Sequence, residues 1–279
     1  MKEKDFIIED NCIIDCILLC GGYAKRLFPL TKNKPKVLLT IADRPCIEYV
    51  IESITNIDNL GKIFALVNIN NFKEVQQYLD KYYMYNIEII VEPEIEIREQ
   101  WGPIKALSYF LSKYPVNDYL VIGGDNVFDF DLNKFLAKAI KINVTTIAVK
   151  EFPPNDDLRR FGTVKISNDF VVLDFLEKIN SFYRHVSIAC YYIKKNELNL
   201  IVDFINSESF DDNLGLFFQW LCFQGIKLKA YVFDTFWFDI GTYQDLVKAN
   251  KHIREFTKRK KNLKAHFSNN TFVDGFSPK

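Results

Sequence analysis

Predicted strands and predicted helices alternate over the first 150 residues, and this alternation restricts the chain to few folds. Short apolar runs rich in β-branched residues predict strands over residues 13–20, 62–68, 86–91, 118–123 and 144–150. Helical periodicity predicts helices between them, over residues 46–54, 72–82, 101–113 and 132–141. Such alternation favours an α/β fold with a mostly parallel sheet and helices on both faces. Ligands of these sheets bind beyond the carboxyl ends of the strands.

The second half of the chain has a different pattern. A hairpin is predicted over residues 162–166 and 171–175, with strands over 186–193 and 227–233 and a helix over 214–223. We expect Thr242 to cap the final helix, with Asp245 at the capping-box position. We interpret the Asp211-Asp212 pair mainly as the cap of the helix that begins at 214, with contact to a ligand as a secondary role. Since no low-complexity linker or internal repeat occurs, we expect one domain over residues 1–279 with no appended β-helix.

The charge balance excludes several kinds of partner. Lys plus Arg and Asp plus Glu number 36 each in 279 residues, so no global field favours nucleic acid or an anionic membrane. No run of 18 apolar residues predicts a membrane span, and the acidic start is unlike a signal peptide. The basic run at 258–261 is typical of a solvated helix end. We therefore expect a cytoplasmic protein that binds neither nucleic acid nor membrane.

The cysteines fit a reducing compartment. The six cysteines form no CxxC pair, and Cys12, Cys16 and Cys20 recur at a spacing of four. On a strand these three share one face, so we interpret them as small apolar core residues.

A glycine pair follows the first predicted strand. Gly21 and Gly22 let backbone N–H groups approach a ligand, and Arg26 and Lys36 add positive charge. This combination suits an anion such as phosphate, although a turn with solvated cations remains the alternative. The P-loop and dinucleotide patterns are both absent, which disfavours a P-loop kinase. A second turn, beginning at Gly124, falls at the same predicted sheet edge and favours the phosphate interpretation.

Several segments together resemble the signature of the sugar-1-phosphate nucleotidyltransferases, the family of glucose-1-phosphate thymidylyl- and uridylyltransferases. In the family's order they are G-G-Y-A-K-R-L-F-P-L-T at 21–31 with P-K-V-L-L at 35–39, G-D-N at 124–126, R-F-G-T-V at 160–164, F-L-E-K at 175–178 and W-F-D-I-G-T at 237–242. They cover roughly residues 13–250. One such match would be weak, but their order and spacing make the resemblance specific.

The resemblance implies a fold and a reaction. It implies a Rossmann-like mixed sheet with a nucleotide-binding half at about 13–150, a sugar-phosphate-binding half at about 151–250, and a C-terminal helix and tail at 251–279. The implied reaction joins a nucleoside triphosphate to a sugar 1-phosphate with Mg²⁺ and releases pyrophosphate. dTTP or UTP and glucose 1-phosphate are the favoured substrates. The aromatic surplus would suit either a homo-oligomer interface or the core alone.

The resemblance also implies a role for each matching residue. The implied roles are catalysis by Arg26 and Lys36; nucleotide binding by Cys20, Gly21, Gly22, Gly102 and Asp125; sugar-phosphate binding by Asn126, Gly162, Glu177 and Lys178; and Mg²⁺ binding by Asp125 and Asp239.

Three departures from the signature leave alternatives open. Ala24-Lys25 replaces Gly-Thr, Ile179 replaces a proline, and the base-site segment G-T-A-G-A reads G-P-I-K-A at 102–106. The last departure affects the loop that reads the base, so a mannose-1-phosphate guanylyltransferase is an alternative. A non-catalytic regulatory subunit of the same fold is another, but the presence of Arg26, Lys36 and both aspartates favours an enzyme.

Overall fold

The computed structural model of the chain describes residues 12–22, 24–93 and 100–270, with side chains up to residue 259. The strands are β1 (Ile14–Leu19), β2 (Thr40–Ile41), β3 (Arg44–Pro45), β4 (Leu60–Val67), β5 (Ile87–Val91), β6 (Tyr119–Gly123), β7 (Asn126–Phe128), β8 (Thr146–Glu151), β9 (Gly162–Ile166), β10 (Val172–Glu177), β11 (His185–Ile193), β12 (Lys229–Phe233) and β13 (Trp237–Asp239). The helices are α1 (Cys46–Thr55), α2 (Phe72–Leu79), α3 (Pro103–Leu111), α4 (Leu132–Ile142), α5 (Lys195–Asn199), α6 (Ile201–Ile205), α7 (Leu214–Phe223) and α8 (Tyr243–Asn270).

A nine-stranded mixed sheet forms the centre of the described residues. Its main path runs β10-β9-β11-β6-β1-β4-β5, and β8 joins β12 to β11. The strands β6, β1, β4 and β5 run parallel to one another, whereas β11 is antiparallel to β6, β8 and β9. The parallel group confirms the fold predicted from the alternating first half.

Helices cover both faces of the sheet. On one face, α1 buries Ile47, Val50, Ile51 and Ile54 completely. On the other face, Phe110 of α3 lies in a cluster with Phe217 and Phe218 of α7. The 3.6-residue spacing of the α1 side chains predicted that helix, whereas α7 is apolar on most of its surface, and the sheet supplies the surface that both helices cover.

Two expectations are modified by the structure. The predicted hairpin forms and is longer than expected, because β10 pairs antiparallel with β9 out to Glu177. Cys16 and Cys20 are buried as predicted, but the prediction for Cys12 is wrong, since it lies exposed before β1 begins. The short helices α5 and α6 were not predicted, because five residues give too little periodicity to recognise.

A two-stranded ribbon beside the main sheet joins distant parts of the chain. Strand β13 pairs antiparallel with β7, so that Asp239 lies opposite Asn126 and Trp237 opposite Phe128. The Trp237 indole N–H donates a 2.7 Å hydrogen bond to Asn126 Oδ1. The first turn of α8 follows directly, and there Asp245 N donates to Thr242 Oγ1, as the capping prediction requires. The ribbon places Asp239 and Asp125 side by side.

Among the described residues, we find no helix whose length and hydrophobicity would let it cross a membrane.

Candidate active site

A cleft of about 330 Å³ opens at the carboxyl ends of β1, β4 and β6. We call the part around Gly21, Glu92 and Trp101 the first end, the part around Lys36 the centre, and the part around Glu177 the second end. All three parts line one continuous cavity. Its position is the one expected for a ligand site of a parallel sheet.

The glycine loop is held between the ends of two parallel strands. Cys20 N donates to Leu66 O at 2.8 Å, and the Asn68 side-chain amide donates to Gly21 O at 2.6 Å. The carboxylate of Glu92 lies so close to Gly21 that a Cβ there would overlap it. A side chain at position 21 would have to displace the Glu92 carboxylate, so packing as well as access to a ligand favours glycine there.

The first end is closed by the start of α3. The Asp212 carboxylate accepts hydrogen bonds from the backbone N–H groups of Gly102, Ile104 and Lys105, at 2.7, 2.8 and 3.1 Å. A Cβ on Gly102 would overlap the Asp212 backbone carbonyl, so only glycine fits. The predicted capping role was assigned to the wrong helix, because Asp212 caps α3 and Asn213 caps α7.

At the centre, one ammonium lies between two carboxylates. Lys36 begins a short 3₁₀ turn, forms an ion pair with Asp125, and lies 3.7 Å from Asp239 Oδ1. Burial alone would lower the pKa of Lys36, but the charges of Asp125 and Asp239 outweigh it and the pKa is raised. Lys36 is therefore a fixed positive charge in the lining of the cleft.

The two carboxylates have a donor set that fits a magnesium ion. Mg²⁺ prefers hard oxygen ligands and commonly takes one or two carboxylates, completing its shell with water and phosphate oxygens. Burial raises the pKa of Asp239, the Lys36 ammonium opposes this rise, and the charge of Asp125 adds to it. A further cation at this place would relieve the repulsion between the acids. The described residues contain no group of three or more candidate ligands, so water or phosphate oxygens would complete the shell.

The second end presents a carboxylate and a lysine on one strand end. Glu177 Oε1 accepts from the Asn213 side-chain amide at 3.1 Å and lies 3.1 Å from Lys178 Nζ. Its Oε2 lies against the backbone of Gly162 and Gly215, where no side chain intervenes. Asn213 also caps α7, so it fixes Glu177 and the helix together.

Arg26 supplies an uncommitted cation at the rim of the cleft. It lies on the 3₁₀ turn Lys25–Leu27, its side chain is exposed, and it forms no ion pair within the described part of the chain. An unpaired guanidinium at a cleft rim is suited to an incoming anion.

The structure brings eleven of the twelve residues predicted for the site into one cleft, counting Asp239, the predicted metal ligand. These are Gly21, Gly22, Arg26, Lys36, Gly102, Asp125, Asn126, Gly162, Glu177 and Lys178, with Asp239 as the predicted metal ligand beside them. Cys20 does not line the cleft, because its side chain is buried against Gly124. Asn126 lines the cleft, but its amide already bonds Trp237 and Gly123 O.

Sequence reasoning missed four residues that line or shape the cleft. They are Glu92, Trp101 and Arg160, which line it, and Asp212 as the cap of α3. Arg160 lies in a recognised motif and could have been found, whereas Glu92 has no local pattern to distinguish it from a surface acid. Asp212 was expected to cap a helix, but its sequence position indicated α7 and not α3.

Comparison with known proteins identifies the family. A sequence profile described as nucleotidyl transferase matches residues 15–255. The chain belongs to this family. The resemblance seen in the motifs is thereby confirmed at the level of the family.

The relatives of this family member differ in length, and their names mention different substrates. The chain itself is compared with three of them. It is 26% identical over 274 residues to the bifunctional protein GlmU of Methanococcus vannielii, covering 94% of this chain and 60% of that protein. It is 27% identical over 234 residues to D-glycero-alpha-D-manno-heptose 1-phosphate guanylyltransferase of Campylobacter jejuni, covering 83% and 96%. A solved UDP-glucose pyrophosphorylase, complexed with UDP-glucose, shares the fold with a TM-score of 0.74 at 16% identity, covering 88% and 99%.

Proposed function

We propose that the protein is a sugar-1-phosphate nucleotidyltransferase, which joins a nucleoside triphosphate to a sugar 1-phosphate and releases pyrophosphate. The observation that carries this proposal is the Lys36 ammonium, which pairs with Asp125 and lies close to Asp239 in one cleft. The same cleft is lined by Glu92 and Trp101 at the first end and by Glu177 and Lys178 at the second. A reaction between two phosphates needs positive charge at their junction and a pocket on each side.

The chain's residues would act by alignment and charge neutralisation. The attacking sugar-phosphate oxygen is already an anion, so no general base is required. Lys36 would hold the two phosphates together against their repulsion. Arg26 would neutralise the departing pyrophosphate, since its fork of donors matches phosphate oxygens. Both cations then act more strongly on the transition state than on the separate substrates.

Asp125 and Asp239 would hold Mg²⁺, whose chemistry when bound is to polarise phosphate oxygens and spread their charge. The two aspartates also keep Lys36 charged and fixed when substrates are absent. The aspartates themselves would therefore contribute by orienting the Lys36 ammonium that contacts the phosphates.

The second end would bind the sugar. Glu177 is positioned to accept hydrogen bonds from sugar hydroxyls, and Lys178 would contact the sugar phosphate. Glucose 1-phosphate remains the proposed sugar. The pyrimidine base expected from the sequence is less well supported, because the first end carries a buried acid, Glu92.

The test is pyrophosphate release over a panel of nucleoside triphosphates and sugar 1-phosphates with Mg²⁺. At least one pair should give a nucleotide sugar by chromatography. Lys36→Ala should lower kcat at least about 100-fold, and Asp125→Asn and Asp239→Asn should weaken the Mg²⁺ dependence. Lys34→Ala removes an exposed lysine two residues away and is the matched control. Substrate binding without turnover by any pair would instead indicate a regulatory subunit.

A further inference from the structure

One buried acid at the first end has no role in the chemistry described above. Glu92 follows β5, is 5% exposed, and lines the cleft beside Trp101. Its Oε2 atom has no hydrogen-bond partner among the described residues. Burying a carboxyl oxygen without a donor is costly, so an unpartnered one in a ligand cleft indicates a ligand that brings donors.

The position of Glu92 is fixed by the sheet. Glu92 N donates to Val67 O at 2.9 Å, and the carboxylate packs against Gly21. The other acid at this end, Asp212, is fully engaged by the three N–H groups that begin α3. Of these two acids, within the part of the chain that the structure describes, Glu92 is therefore the one whose carboxylate remains for a ligand. The neighbouring wall of Leu66, Trp101, Pro103 and Ala106 is apolar and suits a flat ring.

We propose that Glu92 recognises the base of the nucleoside triphosphate and selects guanine, an inference that rests on the proposed function. A carboxylate offers two acceptors side by side. Guanine presents two adjacent donors, the ring N1–H and the 2-amino group, whereas adenine, cytosine, uracil and thymine place an acceptor beside every donor on that edge. Only guanine therefore satisfies both oxygens of an ionised Glu92.

The charge state of Glu92 gives this selection a pH dependence. Burial and the nearby charge of Asp212 raise the pKa of Glu92 to about 7. The Cys20 thiol, at the end of β1, has a pKa raised by its own burial and by the charges of Asp125 and Glu92, so it stays neutral. Guanine stabilises the carboxylate, so GTP should bind more tightly as the pH rises from about 6 to about 8. A uracil paired with the neutral acid would show the reverse.

The experiment measures equilibrium binding of GTP, UTP and dTTP to the full chain by calorimetry, without a sugar phosphate. The wild-type protein should prefer GTP over UTP by about 10–100-fold. Glu92→Gln keeps the shape but offers one acceptor and one donor, so it should lose this preference and its pH dependence. Glu255→Gln, at an exposed position on α8, removes the same charge and should behave like the wild type.

Either of two binding results would overturn the inference. One is wild-type protein that binds UTP or dTTP as tightly as GTP, and the other is an unchanged binding ratio in Glu92→Gln. If circular dichroism shows that Glu92→Gln is unfolded, Glu92→Asp serves instead. This variant keeps the negative charge but moves the carboxylate away from the ligand, so it should weaken GTP binding. Turnover of UTP or dTTP in preference to GTP would reject guanine and leave the proposed function standing. Absence of turnover with every pair would contradict the proposed function, while the binding ratio would still test Glu92.

Discussion

At the scale of single residues, Ala24 in the glycine loop adopts a left-handed backbone conformation that a residue with a Cβ atom does not favour. Ala24 has φ 48° and ψ 39°, in the left-handed region, where the family signature has glycine. That conformation costs a residue with a Cβ roughly 1–2 kcal/mol. The Ala24 carbonyl accepts from Leu27 N at 3.0 Å and from Thr31 Oγ1 at 3.1 Å, and these bonds hold the turn in place.

Ala24→Gly should therefore stabilise the protein by roughly 0.5–1 kcal/mol, after subtracting the extra entropy of glycine in the unfolded chain. Urea denaturation would measure the change. Ala137→Gly, in the regular helix α4, makes the same chemical change and should destabilise. Equal losses in both variants would show that the turn is not strained.

At the scale of elements, the start of α3 depends on a carboxylate from a distant loop. Asp212 satisfies three N–H groups and places negative charge at the positive end of the helix dipole. The next residue, Asn213, bonds Glu177 at the second end. Two consecutive residues thus connect the two ends of the cleft.

Asp212→Asn should lower the free energy of unfolding by about 1–2 kcal/mol, because the amide loses the charge and turns an N–H group toward that of Gly102. It should also raise KM for the triphosphate, since α3 borders the first end. Thermal unfolding and steady-state kinetics provide the two measurements. Asp211→Asn, at the exposed neighbour, is the control. A midpoint shift as large for Asp211→Asn would contradict the capping role.

The local sequence pattern predicted most of the helices and strands, but it predicted little of how they pair and pack against one another. Apolar periodicity located α1 and β1 because each buries a regular face. It could not show that β13 pairs with β7, since three-residue strands carry no period and their partner is far along the chain. The reach of Asp212 and the burial of Glu92 were hidden for the same reason: a carboxylate has the same local pattern whether it faces water or a cleft.

At the scale of the whole molecule, an ion pair between Arg160 and Asp245 connects the segment before β9 to the start of the last helix, α8. The two terminal nitrogens of the Arg160 guanidinium each donate a 2.5 Å hydrogen bond to the Asp245 carboxylate, which is buried at the start of α8. Burial would raise the pKa of Asp245, but its bonds to Arg160 and Thr242 outweigh this and the pKa is lowered.

A lowered pKa means that this carboxylate stabilises the fold above its unfolded pKa of about 3.9 and stops doing so as the pH falls through the folded value. Asp245→Asn should therefore cost about 1–2 kcal/mol at about pH 7, allowing for the half-exposed Arg160, and less at about pH 3. Urea midpoints at the two pH values test this. Asp157→Asn removes an exposed partner of Arg159 and should change little. A pH-independent loss in Asp245→Asn would show that packing, and not charge, is responsible.

The β7–β13 ribbon has a consequence for the chain as it is translated. Asn126 and Trp237, which bond across it, are separated by 111 positions. A nascent chain can therefore expose the glycine loop, Lys36 and Asp125 long before Asp239 leaves the ribosome. Until then the acid pair proposed to hold Mg²⁺ is incomplete. The proposed transfer activity should consequently appear late in synthesis, when the ribbon closes, even if the amino-terminal half has already folded.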